Sequence, residues 1–229
     1  MFAWIAGAAG LAAAGAASYG TIAPESELFG RTLHRLSDPK QLALTYDDGP
    51  NDPHTLHLLD VLAKHDVKAT FFLIGKHVAA KPDIARRIAA AGHTIGNHTY
   101  THPNLLFCSA ARIRQELGDC EKVLADNVGP HSKLFRPPFG ARRPAVLNVA
   151  RKMGLTPVMW TVTCYDWKVT TPERVERHAA RQISGGDIIL LHDGGHTVMG
   201  ADRGHTVAAT ERVVARYQGE GFSFVSLKS

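Results

Sequence analysis

The chain has 229 residues, 45% of them hydrophobic, enough for one sizeable core and a single domain with extensions. Its net charge of +5 comes with no cluster of Lys and Arg interleaved with aromatics, so the pattern of a nucleic-acid-binding protein is missing. Cys108, Cys120 and Cys164 form no CxxC pair, which excludes a disulfide framework and a structural thiolate metal site.

The first charged side chain is Glu25, so residues 1–24 form an uncharged, Ala- and Gly-rich stretch. That is about the ~20 residues a helix needs to cross a bilayer. Three readings fit: a signal peptide with small residues near Ala14, Gly15 and Ala16, an uncleaved membrane anchor, or an Ala-rich soluble helix. The expectation is an apolar helix serving export or anchoring over 1–24, a linker over 25–40 and a single folded domain over 41–229. It implies an extracytoplasmic or membrane-anchored location, with a cytoplasmic one as the alternative. Nothing in the sequence sets an oligomeric state.

From Gln41 onward, short β-like runs alternate with amphipathic stretches. The runs are LALTYD (42–47), KATFFLIG (68–75), HTIGNH (93–98), KLFRPP (133–138), LTPVMWTV (155–162), DIILLHD (187–193) and FSFVSL (222–227). Between them Ile84, Ile88 and Ala91 share a helical face, as do Ile113, Leu117, Cys120 and Leu124. Gly92 and Gly154 stand where helices end. Seven strands alternating with helices predict an α/β fold with a parallel sheet, doubly wound or closed into a barrel.

Both architectures place active sites at the carboxyl ends of strands. Asp47 and Asp48 end the first run, His98 the third and His192 the sixth. Arg136 lies near the end of the fourth, and Asp166 follows the fifth. HTYTH sets His98 and His102 four apart, a spacing that on a helical turn aims both imidazoles the same way. With Asp48 they make a His-His-carboxylate set that leaves coordination positions open, as metal-assisted hydrolysis requires. Asp47 is then the candidate general base and His192 the candidate acid. Arg136 is a fixed cation that favours an ionised carboxylate beside it. Asp166 can partner His192, and Trp167 offers an apolar plate to a sugar face or an acyl methyl.

TYDDGP, HTYTH, RPPFG, YDW and IILLHD occur in the order and approximate spacing of the polysaccharide deacetylases, which this chain resembles over about Gln41 to Leu227. That family is carbohydrate esterase family four, the NodB-homology domain. The resemblance implies a distorted (β/α) barrel with about seven parallel strands. It implies a divalent ion, zinc or a substitute such as cobalt, on Asp48, His98 and His102, with Asp47 as base and His192 as acid. Arg136 would orient the base, Asp166 would pair with the acid, and the Phe139 N–H would donate to the oxyanion. The implied partner is an N-acetylated sugar in a polysaccharide, oligosaccharide or glycolipid; separately, residues 1–24 point to membrane association, and the charge pattern to no nucleic acid.

Two features depart from the family pattern. Thr163 stands where an aspartate often opens the fourth motif, and Tyr46 replaces a commoner phenylalanine. The loop GGHTVMGADRGHT after His192 is long and polar. It reads either as a solvated loop or as a substrate contact, with Arg203 or a histidine meeting an anionic group. His34, His77, His93, His131 and His178 have no partner at a useful spacing and read as structural or surface residues. Competing functions are deformylation or deacetylation of a lipid-linked sugar, and a carbohydrate-binding pseudoenzyme. The full set of catalytic side chains argues against the latter.

Overall fold

The structure is a computed structural model that describes residues 15, 18–168 and 170–228. Its centre is a curled parallel sheet in the order β5-β4-β3-β2-β1-β7-β6. The strands are β1 (Gln41–Asp47), β2 (Thr70–Leu73), β3 (Thr94–Asn97), β4 (Leu134–Phe135), β5 (Thr156–Pro157), β6 (Val162–Thr163) and β7 (Asp187–His192). A short β8 (Ser223–Phe224) adds to the base of β1, in register with Gln41 and Leu42. The helices are α1 (His54–Lys64), α2 (Gly75–Ala80), α3 (Pro82–Ala90), α4 (Ala110–Val128), α5 (Pro144–Lys152), α6 (Pro172–Ala180) and α7 (Gly204–Gly219). The expected distorted (β/α) barrel is thus present as an incomplete, curled one.

Strand alternation sorts the side chains. Leu42, Leu44 and Tyr46 of β1 join the layer between sheet and helices, together with Phe71, Leu73, Ile189 and Leu191. Ala43, Phe72, Ile188 and Leu190 face the other way and pack with Leu134, Val158, Met159 and Trp160 inside the curl. Burying each such Leu or Ile contributes about 1.5–3 kcal/mol. The same period puts Asp47 on the inner face with Ala43, and His192 with Ile188 and Leu190. The expected helical face of α4 is also present, since Ile113, Leu117, Cys120 and Leu124 are buried. Gly92 and Gly154, at φ +77 and +76, take the left-handed conformation that ends a helix without a Cβ clash.

One expected strand divides. LTPVMWTV supplies β5, which pairs with β4, and β6, which pairs with β7. These are opposite edges of the sheet, so one apolar run crosses the mouth of the unclosed barrel. Residues 33–36 lie along that gap. Leu33 donates to Pro157 O at 2.9 Å and Leu36 to Gly186 O at 2.8 Å, and both side chains pack on the inner cluster.

Of the segment expected to be a signal or anchor, residues 1–14, 16 and 17 lie outside the described residues. Residues 18–22 are helical. The buried Arg142 guanidinium then donates to Ala23 O (2.6 Å), Pro24 O (3.3 Å) and Ser26 O (2.9 Å). Among the described residues no helix is long and apolar enough to cross a membrane.

Candidate active site

The site forms at the carboxyl ends of the strands, and strand register does much of the placing. Asp47 of β1 and His192 of β7 are direct register partners, both on the inner face. Arg136 follows β4 and reaches across the curl. Its Nη1 donates to Asp47 Oδ1 at 2.9 Å and to Thr45 Oγ1 at 2.8 Å, and its Nη2 donates to Met159 O at 3.1 Å. The guanidinium lies 4.3 Å from the Phe72 ring centroid and is fully buried. One Asp47 oxygen is therefore fixed, and Oδ2 faces His98 Nε2 at 3.7 Å.

Asp48 turns away from the strand at φ 73, a conformation an Asp tolerates better than most side chains. Its Oδ1 lies 3.6 Å from His98 Nε2 and 3.3 Å from His102 Nε2, and one donor atom from each of the three residues fits within a 4.8 Å cluster. Asp48 Oδ1 is buried without a hydrogen-bond partner, an expensive state unless a cation joins the three donors. His98 Nδ1 lies 2.8 Å from Arg136 O, which fixes the proton there and leaves Nε2 free as a donor. Burial, helped by His98, pushes the His102 imidazole down to about 2, so it stays neutral. Burial works against an ionised Asp48, yet His196, His192, His98 and His102 hold its carboxyl well below the usual range. The residues present fit a divalent ion.

The two histidines converge, but not on a helical turn. HTYTH is a loop, with Thr99 at φ 67 and His102 at φ 60. Glu116 of α4 holds it, accepting from Tyr100 N (3.0 Å), Thr101 N (2.7 Å) and Thr101 Oγ1 (2.7 Å). Asn97 Oδ1 accepts from Thr99 N at 2.8 Å, and Thr99 Oγ1 accepts from His102 N at 3.0 Å. A buried acid on the apolar face of α4 is the one sequence signal for this support.

Asp166 is buried and receives the His192 backbone N–H at 2.7 Å, His192 Nδ1 at 2.9 Å and Thr206 Oγ1 at 2.9 Å. Burial opposes charge on His192, but Asp166 outweighs it and raises the imidazole to about 9. Asp193, next in the chain, is pushed up to about 7 by burial, against the Thr55 hydroxyl at 2.5 Å. Thr163, at the departure from the family pattern, accepts from Trp160 Nε1 at 2.9 Å.

These groups open onto a cavity of about 630 Å³ that Phe139, Trp167, His196 and Arg203 also line. Phe139 stands at φ 59 with its ring 4.7 Å from that of His102. Trp167 meets the His192 ring at 5.3 Å. Arg203 donates from Nε to Gly194 O at 2.7 Å and from Nη1 to Asp166 O at 3.3 Å. His196 stacks on His102 at 4.5 Å and lies 3.7 Å from Asp48 Oδ2. His77, partnerless by sequence spacing, has its Nδ1 3.0 Å from Asp48 O, beneath the turn that aims Asp48. Spacing does not reveal this contact, because it joins helix α2 to the turn after β1.

A carboxylate and two imidazoles thus cluster at the rim of the parallel barrel, beside the Asp47–Arg136 and Asp166–His192 pairs. The model of the polysaccharide deacetylase family matches residues 34–158, and the chain belongs to that family. A peptidoglycan-N-acetylglucosamine deacetylase from Bacillus cereus is 36% identical over 82% of this chain and 67% of its own length. A chitooligosaccharide deacetylase from Rhizobium leguminosarum bv. trifolii is 35% identical over 83% of this chain and 92% of its own. Among solved structures, a peptidoglycan N-acetylglucosamine deacetylase superposes with a TM-score of 0.79 at 33% identity, covering 86% of this chain and 90% of its own.

Proposed function

We propose that this protein is a metal-dependent N-deacetylase of glycans containing N-acetylglucosamine. The observation that carries the reading is the buried, unpartnered Asp48 Oδ1 facing His98 and His102, with Asp47 and His192 beside it at one cavity. The names of the relatives support the substrate class.

In this reading Asp48, His98 and His102 hold a divalent ion, zinc or cobalt. The ion would supply Lewis acidity to the acetyl carbonyl and acidify the attacking water. Asp47 takes the proton of that water, its carboxylate aimed by Arg136. The water oxygen bonds to the acetyl carbon, and the oxyanion accepts from the Phe139 N–H. His192, oriented and kept charged by Asp166, gives its proton to the amine as the C–N bond breaks. Acetate and a free amino sugar leave. Trp167 covers one wall of the cavity and keeps bulk water from the reacting groups.

The test is acetate release from N-acetylglucosamine oligomers by the zinc- or cobalt-loaded protein, with formate release from N-formylated sugars as the control. The reading expects acetate, loss of activity with a chelator, and recovery on adding metal. Formate alone, or no product from any N-acylated sugar, contradicts it. We also infer, from the uncharged stretch over 1–24, that the substrate is met at or beyond a membrane. Cell fractionation of the full-length chain and of one lacking residues 1–24 tests that. Equal amounts of both in the cytoplasm would rule it out.

A further inference from the structure

A second groove, of about 610 Å³, lies beside the catalytic cavity and is lined chiefly by Tyr165, Lys168, Arg174, Arg177, His178 and Arg181. The segment around Asp166 separates the two spaces. Tyr165 and Lys168 line the groove, Trp167 lines the cavity, and the Tyr165 and Trp167 rings meet at 5.3 Å.

Helix α6 sorts its charges by side. Glu173 and Glu176 turn to α7, where Arg212 reaches them at 2.6 and 3.6 Å. Arg174, Arg177 and Arg181 follow the i, i+3, i+7 pattern and share one face of the helix, adjoining the Glu side. Among the described residues, neither these three nor Lys168 makes an ion pair with a carboxylate, and no acid lines the groove. Lys168 Nζ lies 5.1 Å from the Tyr165 ring centroid, and the His178 ring meets Tyr165 edge-on at 5.1 Å. A merely solvated helix face would mix its signs. This one neutralises its acids against a neighbour and leaves four cations around an aromatic floor. Such a concentration of one sign attracts anions, and guanidinium groups bind carboxylates in a two-pronged geometry.

We propose that this groove binds carboxylates carried by a peptide-substituted glycan whose N-acetyl group occupies the catalytic cavity. The chain thereby favours an acidic wall polymer over a neutral chitin-type oligomer. The proposal rests on the deacetylase reading for its substrate and on the groove alone for its binding.

The experiment compares the metal-loaded protein with the triple variant R174Q/R177Q/R181Q on two substrates. One is peptidoglycan sacculi stripped of phosphate polymers, and the other is a neutral N-acetylglucosamine oligomer. We expect kcat/KM on sacculi to fall about tenfold or more in the variant, mostly through KM, the loss of roughly one charge-assisted contact. Activity on the neutral oligomer should stay within about twofold, and added salt should erase the wild-type preference for sacculi. The R174K/R177K/R181K variant should retain most of that preference. Co-sedimentation with stripped sacculi, which needs no turnover, should show the same loss at low salt. Equal losses on both substrates, unchanged co-sedimentation of the triple Gln variant, or binding only to unstripped sacculi would overturn the proposal. If neither substrate is deacetylated, the functional reading fails while co-sedimentation still decides the groove.

Discussion

Asp47 and His192 are register partners on adjacent parallel strands, 145 positions apart in the chain but side by side on one face of the sheet. Hydrogen-bonded register therefore sets the spacing of the proposed base and acid, which rigid strands hold better than loops would. Each has its own fixed partner. Arg136 aims the first, and Asp166 the second.

Removing Arg136 should cost stability as well as activity. Arg136→Met leaves the 4%-exposed Asp47 without its ion pair. An uncompensated buried charge of this kind costs about 3–5 kcal/mol. Urea denaturation of the metal-free protein reads it directly. A loss below about 1 kcal/mol would mean that solvent or His98 replaces the guanidinium.

The His192–Asp166 pair sets a pH dependence whose sign follows from the charges. Burial disfavours the imidazolium, Asp166 outweighs it, and the pKa rises from 6.5 to about 9. The fold thus holds the proton more tightly than the unfolded chain. That stabilisation is complete below about pH 6.5 and is lost as pH rises through about 9. Activity that needs protonated His192 should fall along the same alkaline limb. Asp166→Asn should move the limb of the kcat profile to lower pH, and the double variant with His192→Ala should lose less than the sum of the singles. A limb unmoved by Asp166→Asn would assign it to another group.

Glu116 should matter to metal binding without touching the metal. Glu116→Gln weakens three contacts that hold the loop between His98 and His102. Loss of such outer support typically costs about 10–100-fold in metal affinity. Competition with a chromophoric chelator should show weaker zinc binding, with secondary structure by circular dichroism unchanged. Full affinity would show that the two left-handed residues hold the loop unaided.

Much of the site is legible in the sequence because strand ends are marked there. An apolar run that stops at Asp47, at His98 or at His192 names a rim position by itself. What stays hidden depends on contacts between distant parts of the chain. LTPVMWTV reads as one strand because apolar content says nothing about which sheet edge a residue meets, yet β5 and β6 lie on opposite edges. The four-residue spacing in HTYTH suggests a helix, but its convergence comes from positive φ at Thr99 and His102 and from Glu116. His77 and Arg203 show the same limit. One supports Asp48 and the other braces Asp166, through backbone carbonyls that no motif encodes.

The division of labour between Asp47 and Asp48 is central to the proposed chemistry. It is tested most directly by measuring bound zinc and turnover together in Asp47→Asn and Asp48→Asn. The geometry predicts that Asp47→Asn keeps about one zinc per chain while turnover drops by roughly 10²–10⁴-fold, the usual worth of a general base. Asp48→Asn should lose both zinc and turnover. An Asp47→Asn protein that loses zinc, yet regains full activity once metal is restored, would show that the two carboxylates have the opposite roles.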